Sequence, residues 1–265
     1  MRIEYEDPEI LVIYKEAGLP VQTGRTSQKD VVSLLKNHLA RNARTSEAEA
    51  KGAETKRAEA GNAASGMQAE PYLGIVHRLD QPVEGLLVFA KTPGSAAALS
   101  AQAASKDGME KVYQAVVCLS SASYPLAIDG MKKPVTLVDW LGRDRSTNMA
   151  YITSEDEQGA KRAELSFRTL WIRDGRALLE IRLRTGRHHQ IRIQLANAGM
   201  PLLGDRKYGD MTERYPDRGL PEEKPYPLCL CAWRLSFQHP VSGKKMTFCV
   251  EPAFLEKAGV IRDGM

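Results

Sequence analysis

Three polar clusters in the sequence contain residue types that are used in chemistry. The first comprises His77, Arg78 and Asp80, a carboxylate close to two basic groups, with hydrophobic segments on both sides. Such clusters occur where a carboxylate takes part in a reaction, and more often in turns held together by paired charges. From these residues alone the segment is a candidate site, and an ordinary turn network is the alternative.

The second cluster comprises Arg187, His188 and His189 and precedes a predicted helix that ends at Gly199. The helix dipole disfavours cations at this end, so local helix stability does not explain the three residues. A bound anion, either an RNA phosphate or a protein carboxylate, would explain the basic side chains and the free N–H groups of the helix. Arg192 lies within the first turns and could contact the same anion.

The third candidate is a single tyrosine on a predicted strand. Tyr113 shares a strand face with Ala115 and Val117, so its ring lies beside small neighbours and its hydroxyl is free to face a pocket. A tyrosine at the boundary of the core would show the same pattern. The residues do not separate these two interpretations.

Hydrophobic spacing predicts the elements that must position these clusters. A helix is predicted from the N-cap Thr92 to about Ser105, and another begins with a capping box of Ser27 and Asp30. Residues 136–141 form either a strand or a short helix. Four strands are predicted as ranges, at Ile10–Tyr14, Gly85–Lys91, Val112–Cys118 and Met246–Val250. Three more are predicted from alternating residues that share one face: Ala163, Leu165, Phe167 and Trp171 in the first, Leu179, Ile181 and Leu183 in the second, and Cys231, Trp233, Leu235 and Phe237 in the third.

Several antiparallel-looking strands with few helices between them indicate the α+β class. We predict a single domain over residues 1–265. Residues 41–70 mix charged residues and glycines without an apolar stripe, which predicts a flexible, solvated insertion that is either disordered or partly helical.

Composition excludes several classes of protein. Of the 265 residues, 43% are hydrophobic and 26% are charged, which is typical of a globular protein rather than a disordered or fibrous one. No apolar run approaches the ~20 residues of a membrane helix, and no secretory signal is visible, so we expect a cytoplasmic protein with no membrane partner. The net charge of +4 is compatible with a polyanionic partner.

The four cysteines contain no Cys-x-x-Cys pair that would suggest a metal or redox site. Cys229 and Cys231 are two residues apart, so on a strand they would share a face. We expect them to pack as small hydrophobic residues.

The order of the motifs along the chain resembles that of the RluA family of RNA pseudouridine synthases. The resemblance covers most of residues 5–250, apart from 41–70 and about 210–227. It rests on Lys15-x-Ala17-Gly18, His77-Arg-Leu-Asp80, Lys111-x-Tyr113-x-Ala115-x-Val117, Thr185-Gly-Arg-x-His189-Gln-Ile-Arg192, Pro201-Leu-Leu-Gly-Asp205 followed by Tyr208-Gly209, and Ala232-Trp-Arg-Leu-Ser-Phe-x-His-Pro240. The chain departs from the usual pattern at three places. Val83-Glu84 stands before Gly85, where a small hydroxyl residue is frequent. His188 stands where threonine or serine is common, and Cys231 stands where histidine is frequent.

The resemblance implies that a uridine in RNA is converted to pseudouridine without a metal or redox cofactor. Asp80 matches the catalytic aspartate, which acts at the sugar as a nucleophile or a base. Arg192 matches the arginine that pairs with it, with phosphate binding as the alternative role. Tyr113 matches the tyrosine that stacks on the target base and is a candidate to help remove the C5 proton. Arg78 is a candidate to fill the space left by the flipped base. The candidate RNA contacts are Lys15, Arg182, Arg184, Arg187, His188 and His189.

The resemblance also implies the pseudouridine synthase fold, a mixed, mainly antiparallel sheet with flanking helices and a cleft at residues 77–80. We expect a monomer without the N-terminal S4-like domain of some relatives, acting on ribosomal or transfer RNA. We interpret His77 and the turn at Gly204 and Asp205 as structural. The alternatives are a non-catalytic RNA-binding protein or RNA chaperone on the same scaffold, which would not need Asp80, and a metal-dependent nuclease, for which the sequence lacks a convincing carboxylate cluster.

Overall fold

The structure, a computed structural model, describes residues 1–24, 28–54, 70–105, 108–209 and 226–257, with only the backbone described at 45–54. The strands in this part of the chain are β1 Arg2–Glu6, β2 Ile10–Lys15, β3 Gly74–Ile75, β4 Glu84–Ala90, β5 Glu110–Cys118, β6 Val135–Asp144, β7 Met149–Thr153, β8 Lys161–Arg173, β9 Arg176–Leu183, β10 Leu230–Gln238 and β11 Lys245–Cys249. The helices are α1 Val31–Glu54, α2 Pro93–Ala104, α3 Tyr124–Lys132, α4 Gln190–Asn197 and α5 Phe254–Lys257.

Across the described residues, all eleven strands belong to one sheet. The order is β1-β2-β4-β10-β5-β9-β8-β6-β7, with β11 beside β10 and β3 beside β4. β10 pairs with β4 in parallel, and the other pairings are antiparallel. The predicted mixed, mainly antiparallel sheet of the α+β class is therefore confirmed.

The sheet has a hydrophobic core on each face, because successive strand side chains point to opposite sides. On β2, Leu11 and Ile13 belong to one core, which we call the front core, while Ile10 and Val12 belong to the back core. Helices α1 and α4 pack on the front core, and α2 and α5 pack on the back core. No helix in the described part of the chain has the length and apolar character to cross a membrane.

The two predicted helix starts have different outcomes. At α2 the prediction is confirmed, since the side chain of Thr92 accepts a hydrogen bond from the N–H of Ser95 at 3.2 Å. At α1 the predicted N-cap Ser27 lies outside the described residues. Asp30 caps this helix instead, because its carboxylate accepts hydrogen bonds from the N–H groups of Ser33 and Thr23, at 2.7 and 2.8 Å.

Helix α1 continues into the predicted insertion. It ends at Glu54, so residues 41–54 are helical. Residues 55–69 lie outside the described residues, and the flexibility of 41–70 stays a prediction.

Two predictions on the strands are settled by the register. Residues 136–141 lie within β6 and are therefore a strand. Trp171 was predicted on the same face as Phe167, and this is wrong. The pairing of β8 with β9 shifts between Thr169 and Trp171, so the bulge carries Trp171 to the back core while Phe167 stays in the front core.

The cysteines at the start of β10 and just before it pack as predicted. Cys229 and Cys231 are fully buried in the back core and form no disulfide. Their neighbours in that core are apolar, so they fill space as small hydrophobic residues.

Candidate active site

A cavity of about 770 Å³ opens on the front face of the sheet. Its walls are the 77–80 loop, the loop after β2 and the start of α4, and Leu183 and Leu230 of the sheet line it as well. The cavity brings together seven of the ten predicted site residues, namely Arg78, Asp80, Tyr113, Arg187, His188, His189 and Arg192.

The loop that carries Asp80 is held by a buried lysine. Lys15 ends β2 and is fully buried. Its Nζ donates hydrogen bonds to the carbonyl oxygens of Glu16, Leu19 and Gln81, at 3.1, 2.8 and 3.1 Å. These bonds connect the loop after β2 to the loop that follows Asp80.

This position does not fit the predicted phosphate contact of Lys15. A phosphate needs an ammonium group that it can reach, whereas the three hydrogens of this ammonium already have carbonyl acceptors. Burial lowers the pKa of Lys15 to about 8, and the negative charges of Asp80 and Glu84 oppose that shift. Lys15 is therefore a structural cation beneath the site.

Asp80 lies in the cavity between two basic side chains. Its Oδ2 is 3.6 Å from Nη1 of Arg192 and 3.5 Å from Nε2 of His189, and 31% of its side chain remains exposed. Burial raises the pKa of Asp80 above its ordinary value, and the charges of Arg192, His188 and Lys15 oppose that rise. The carboxylate is thus partly desolvated next to groups that favour its ionised form.

Arg192 has a second acidic partner that binds it more closely. Its Nε and Nη2 donate to the two carboxylate oxygens of Asp205, at 2.8 and 2.6 Å, and the two side chains are only 5% and 1% exposed. The predicted pairing of Arg192 with Asp80 exists only as the longer ion pair. The bidentate bond to Asp205 fixes the guanidinium, and the third nitrogen then points at Asp80.

The start of α4 is built around His189. This residue is the N-cap, with a left-handed backbone at φ 52°, and it is buried. Its ring stacks on that of His188 with the centroids 3.8 Å apart. A left-handed non-glycine residue costs about 1 kcal/mol or more, so neighbouring contacts must hold it.

Gln190 supplies contacts that hold this turn. Its Oε1 accepts hydrogen bonds from the hydroxyl of Thr185 and the N–H of Arg187, at 2.8 and 2.9 Å, and its Nε2 donates to the carbonyl of Glu164 at 3.1 Å. The turn that presents the basic cluster is therefore tied to β8.

Tyr113 lies on β5 and is 6% exposed. It belongs to the front core and lines the cavity, so both sequence interpretations hold in part. Burial raises the pKa of Tyr113 far above its ordinary value, and the charge of Asp80 adds to the rise. Its phenol is therefore protonated at neutral pH.

The arginines fall into two groups. Arg78 and Arg187 are exposed at the rim of the cavity, where they donate hydrogen bonds to Oε1 of Gln22 and the carbonyl of Arg162, both at 3.0 Å. Arg182 and Arg184 instead line a neighbouring cavity of about 420 Å³, and Arg182 forms an ion pair with Glu110. The two cavities share Lys111 and Leu183, so they adjoin each other.

Within the described ranges, Asp80, His188 and His189 form a group whose donor atoms are close enough to hold a metal ion, within 4.8 Å of one another. The surroundings do not fit a dication. Arg192 is 3.6 Å from Asp80, and the positive charges of Arg192 and Lys207 already disfavour a charge on His189. A metal would face this repulsion, and we retain the prediction of a reaction without one.

Sequence reasoning missed Asp205 and Tyr208 as parts of the site. Asp205, interpreted as structural, binds Arg192, and the hydroxyl of Tyr208 is 2.7 Å from Nδ1 of His189. Both residues belong to the motif Pro201-Leu-Leu-Gly-Asp205 and Tyr208-Gly209. The motif therefore pointed to them, but the sequence did not indicate which residues they contact. His77 does hold its loop, since its Nε2 accepts the N–H of Val88 at 3.3 Å.

Comparison with known proteins agrees with this geometry. The family model described as RNA pseudouridylate synthase matches residues 9–197. A ribosomal large subunit pseudouridine synthase D of Zymomonas mobilis is 30% identical over 253 residues, 95% of this chain and 69% of that protein. A mitochondrial pseudouridylate synthase of Xenopus tropicalis is 32% identical over 216 residues, 77% of this chain and 58% of that protein. The solved structure of human RNA Pseudouridylate Synthase Domain Containing 4 has the same fold, with a TM-score of 0.65 and 20% identity, over 97% of this chain and 92% of that one.

Proposed function

The chain belongs to the RNA pseudouridylate synthase family, and from this premise we propose that it isomerises uridine to pseudouridine in large-subunit ribosomal RNA, with Asp80 as the catalytic residue. The observation that carries the proposal is the position of Asp80, in a cavity beside Tyr113 and between Arg192 and His189. The choice of ribosomal over transfer RNA follows the printed name of the Zymomonas relative. We further propose a cytoplasmic monomer that needs no metal.

The reaction requires a carboxylate at the sugar. The glycosidic bond from N1 of uracil to C1′ breaks, the base turns while bound, and C5 bonds to C1′. C5 loses a proton and N1 gains one, so the composition of the RNA does not change. Asp80 supplies the carboxylate, and Arg192 supplies a fixed positive charge that favours the ionised form and opposes the effect of burial on its pKa.

Tyr113 is suited to hold the base in this site. Its ring lines the cavity among apolar side chains, and stacking stabilises a nucleotide that has left its helix. Because the phenol is protonated at neutral pH, we assign it stacking as its first role. Arg78, exposed at the rim, is the candidate to occupy the place that the base has left.

Tritium release tests the proposed function. RNA that carries 5-tritiated uridine loses tritium to water when C5 bonds to C1′. We expect release from unmodified large-subunit ribosomal RNA, with none from transfer RNA and no loss of rate in EDTA. Tight binding of both RNAs without release would favour the RNA chaperone, and loss of the rate in EDTA would contradict a reaction without metal.

Arg187 provides a test of the proposed RNA surface. Replacing Arg187 with alanine removes an exposed cation at the rim of the cavity. We expect RNA binding to weaken about 5- to 10-fold near physiological salt. The slope of log affinity against log salt should become shallower by about 1, the change expected for the loss of one phosphate contact. Filter binding at several salt concentrations measures both quantities.

The matched control is Lys133→Ala, which removes an exposed cation at the end of α3, outside both cavities. We expect this variant to keep the affinity and the salt slope of the wild type. Equal effects of the two substitutions would mean that RNA responds to net charge rather than to this rim.

A further inference from the structure

A line of polar contacts runs from β7 to the proposed catalytic carboxylate. The N–H of Ala150 donates to the hydroxyl oxygen of Tyr208 at 2.7 Å, and that oxygen is 2.7 Å from Nδ1 of His189. Nε2 of His189 is 3.5 Å from Oδ2 of Asp80. Each group in this line therefore contacts the next one, and the last group is the carboxylate of Asp80.

The direction of donation along this line follows from the groups at its two ends. The N–H of Ala150 can only donate, so it occupies a lone pair of the Tyr208 oxygen. If Nδ1 of His189 carried the proton, the unprotonated Nε2 would face the anionic oxygen of Asp80, which is repulsive. The arrangement that satisfies every group has the Tyr208 hydroxyl donating to Nδ1 and Nε2–H directed at Asp80.

His189 performs this role as a neutral ring. Burial and, to a smaller extent, the charges of Arg192, His188 and Lys207 lower the pKa of His189 to about 3, and the charge of Asp205 opposes them. At neutral pH the ring has a single N–H proton. The tautomer therefore decides whether Asp80 faces an N–H donor or an unprotonated nitrogen at Nε2. With a side chain only 5% exposed, His189 is poorly placed for the predicted phosphate contact.

Resting on the proposed function, we propose that Tyr208 and His189 form a positioning pair that orients Asp80 toward the ribose. In the described part of the chain, Arg192 and His189 both approach Oδ2 of Asp80. Two fixed partners on one oxygen set the plane of the carboxylate and leave Oδ1 as the oxygen that meets the sugar. Tyr208 acts at one remove, by fixing the tautomer of His189.

Two substitutions of the same histidine separate this role from a merely structural one. In His189→Gln the amide nitrogen takes the place of Nε2 and can still donate to Asp80, whereas in His189→Asn it takes the place of Nδ1 and reaches only Tyr208. We expect turnover in the tritium assay to fall several-fold in the glutamine variant and about 100-fold in the asparagine variant. Turnover of Tyr208→Phe should fall about 10-fold, because the tautomer of His189 is no longer fixed.

The acid limb of the pH profile is the second readout. Asp80 faces Arg192, His188, Lys15 and His189, and the first three of these groups remain in each variant. Loss of the donor should move the midpoint of the acid limb upward in His189→Asn and leave it closer to the wild type in His189→Gln. RNA affinity, measured by filter binding, should change less than turnover in both.

Several outcomes would overturn the positioning pair. Equal rates in the wild type and both histidine variants would remove any role, and equal losses in both with a lower melting temperature would make the role structural. A loss of RNA affinity that accounts for the loss of rate would return His189 to the phosphate contacts. Asp80→Asn in the same assay keeps the two proposals apart, since its activity would contradict the proposed function while its inactivity beside normal histidine variants would contradict only the pair.

Discussion

Asp80→Asn should lower the rate of tritium release by about 10⁴-fold or more, because the amide can neither attack C1′ nor accept a ribose proton. RNA binding should be as tight as in the wild type or tighter, since the substitution removes a negative charge from a site that receives a polyanion. Tritium release under single-turnover conditions and filter binding of the same RNA measure the two effects.

Asp129→Asn is the matched control for this substitution. Asp129 lies exposed on α3, where its partner is Lys132, so the same chemical change is made outside the cavity. The control should keep the wild-type rate. A normal rate for Asp80→Asn would remove Asp80 from the reaction.

The pH dependence gives an independent reading of the same carboxylate. Burial raises the pKa of Asp80, with Arg192, His188 and Lys15 opposing, and the ionised form is the active one. The rate should therefore fall as the pH falls through this raised pKa, with a midpoint above the ~3.9 of an ordinary aspartate. A midpoint below that value would mean that the cations outweigh burial.

Much of the sheet and α2 could be predicted because the signals are local. Thr92 and Pro93 begin α2 through bonds within one turn, and the alternation along β9 and β10 shows directly which side chains face a core. The bulge in β8 is different. It depends on how two strands align, so the sequence placed Trp171 on the wrong face.

Helix α3 shows why some elements gave no usable signal. Its large apolar residues Tyr124, Ile128 and Met131 are 38%, 40% and 55% exposed, while the buried positions are Ala127 and Gly130. A hydrophobic stripe therefore points away from the sheet. The helix packs closely through its small residues, since a Cβ on Gly130 would lie 2.5 Å from Oγ1 of Thr169. Without the sheet beside it, this pattern does not indicate a buried face.

At the site, residue types indicated the chemistry but not the partners. Lys15 and Arg187 are both basic residues in motifs, yet one is fully buried against carbonyl oxygens and the other is exposed at the rim. Lys15 can be buried because its ammonium has three carbonyl acceptors, and one of them, the carbonyl of Gln81, comes from a loop that is distant in sequence. The same holds for Asp205, whose partner Arg192 comes from another element.

Asp205→Asn should destabilise the protein and slow the reaction together. Arg192 and Asp205 form a buried bidentate ion pair, and removal of one charge leaves the other buried without its partner. We expect the free energy of unfolding in urea to fall by about 3 kcal/mol, within the ~3–5 kcal/mol found for broken buried pairs. Turnover should fall about 100-fold, because the guanidinium no longer points its third nitrogen at Asp80.

The pH dependence of this loss separates the ion pair from simple packing. Burial raises the pKa of Asp205, but the hydrogen bonds and charge of Arg192 outweigh burial and lower it below its ordinary value. The pair's contribution is therefore complete above the unfolded pKa of ~3.9 and is lost as the pH falls through the folded value. The stability difference between wild type and Asp205→Asn should stay constant above about pH 5 and narrow below about pH 4.

The control Asp129→Asn, which breaks an exposed pair, should lower the free energy of unfolding by less than about 1 kcal/mol at neutral pH. A difference that persists unchanged at low pH would mean that Asp205 contributes shape and neutral hydrogen bonds rather than charge.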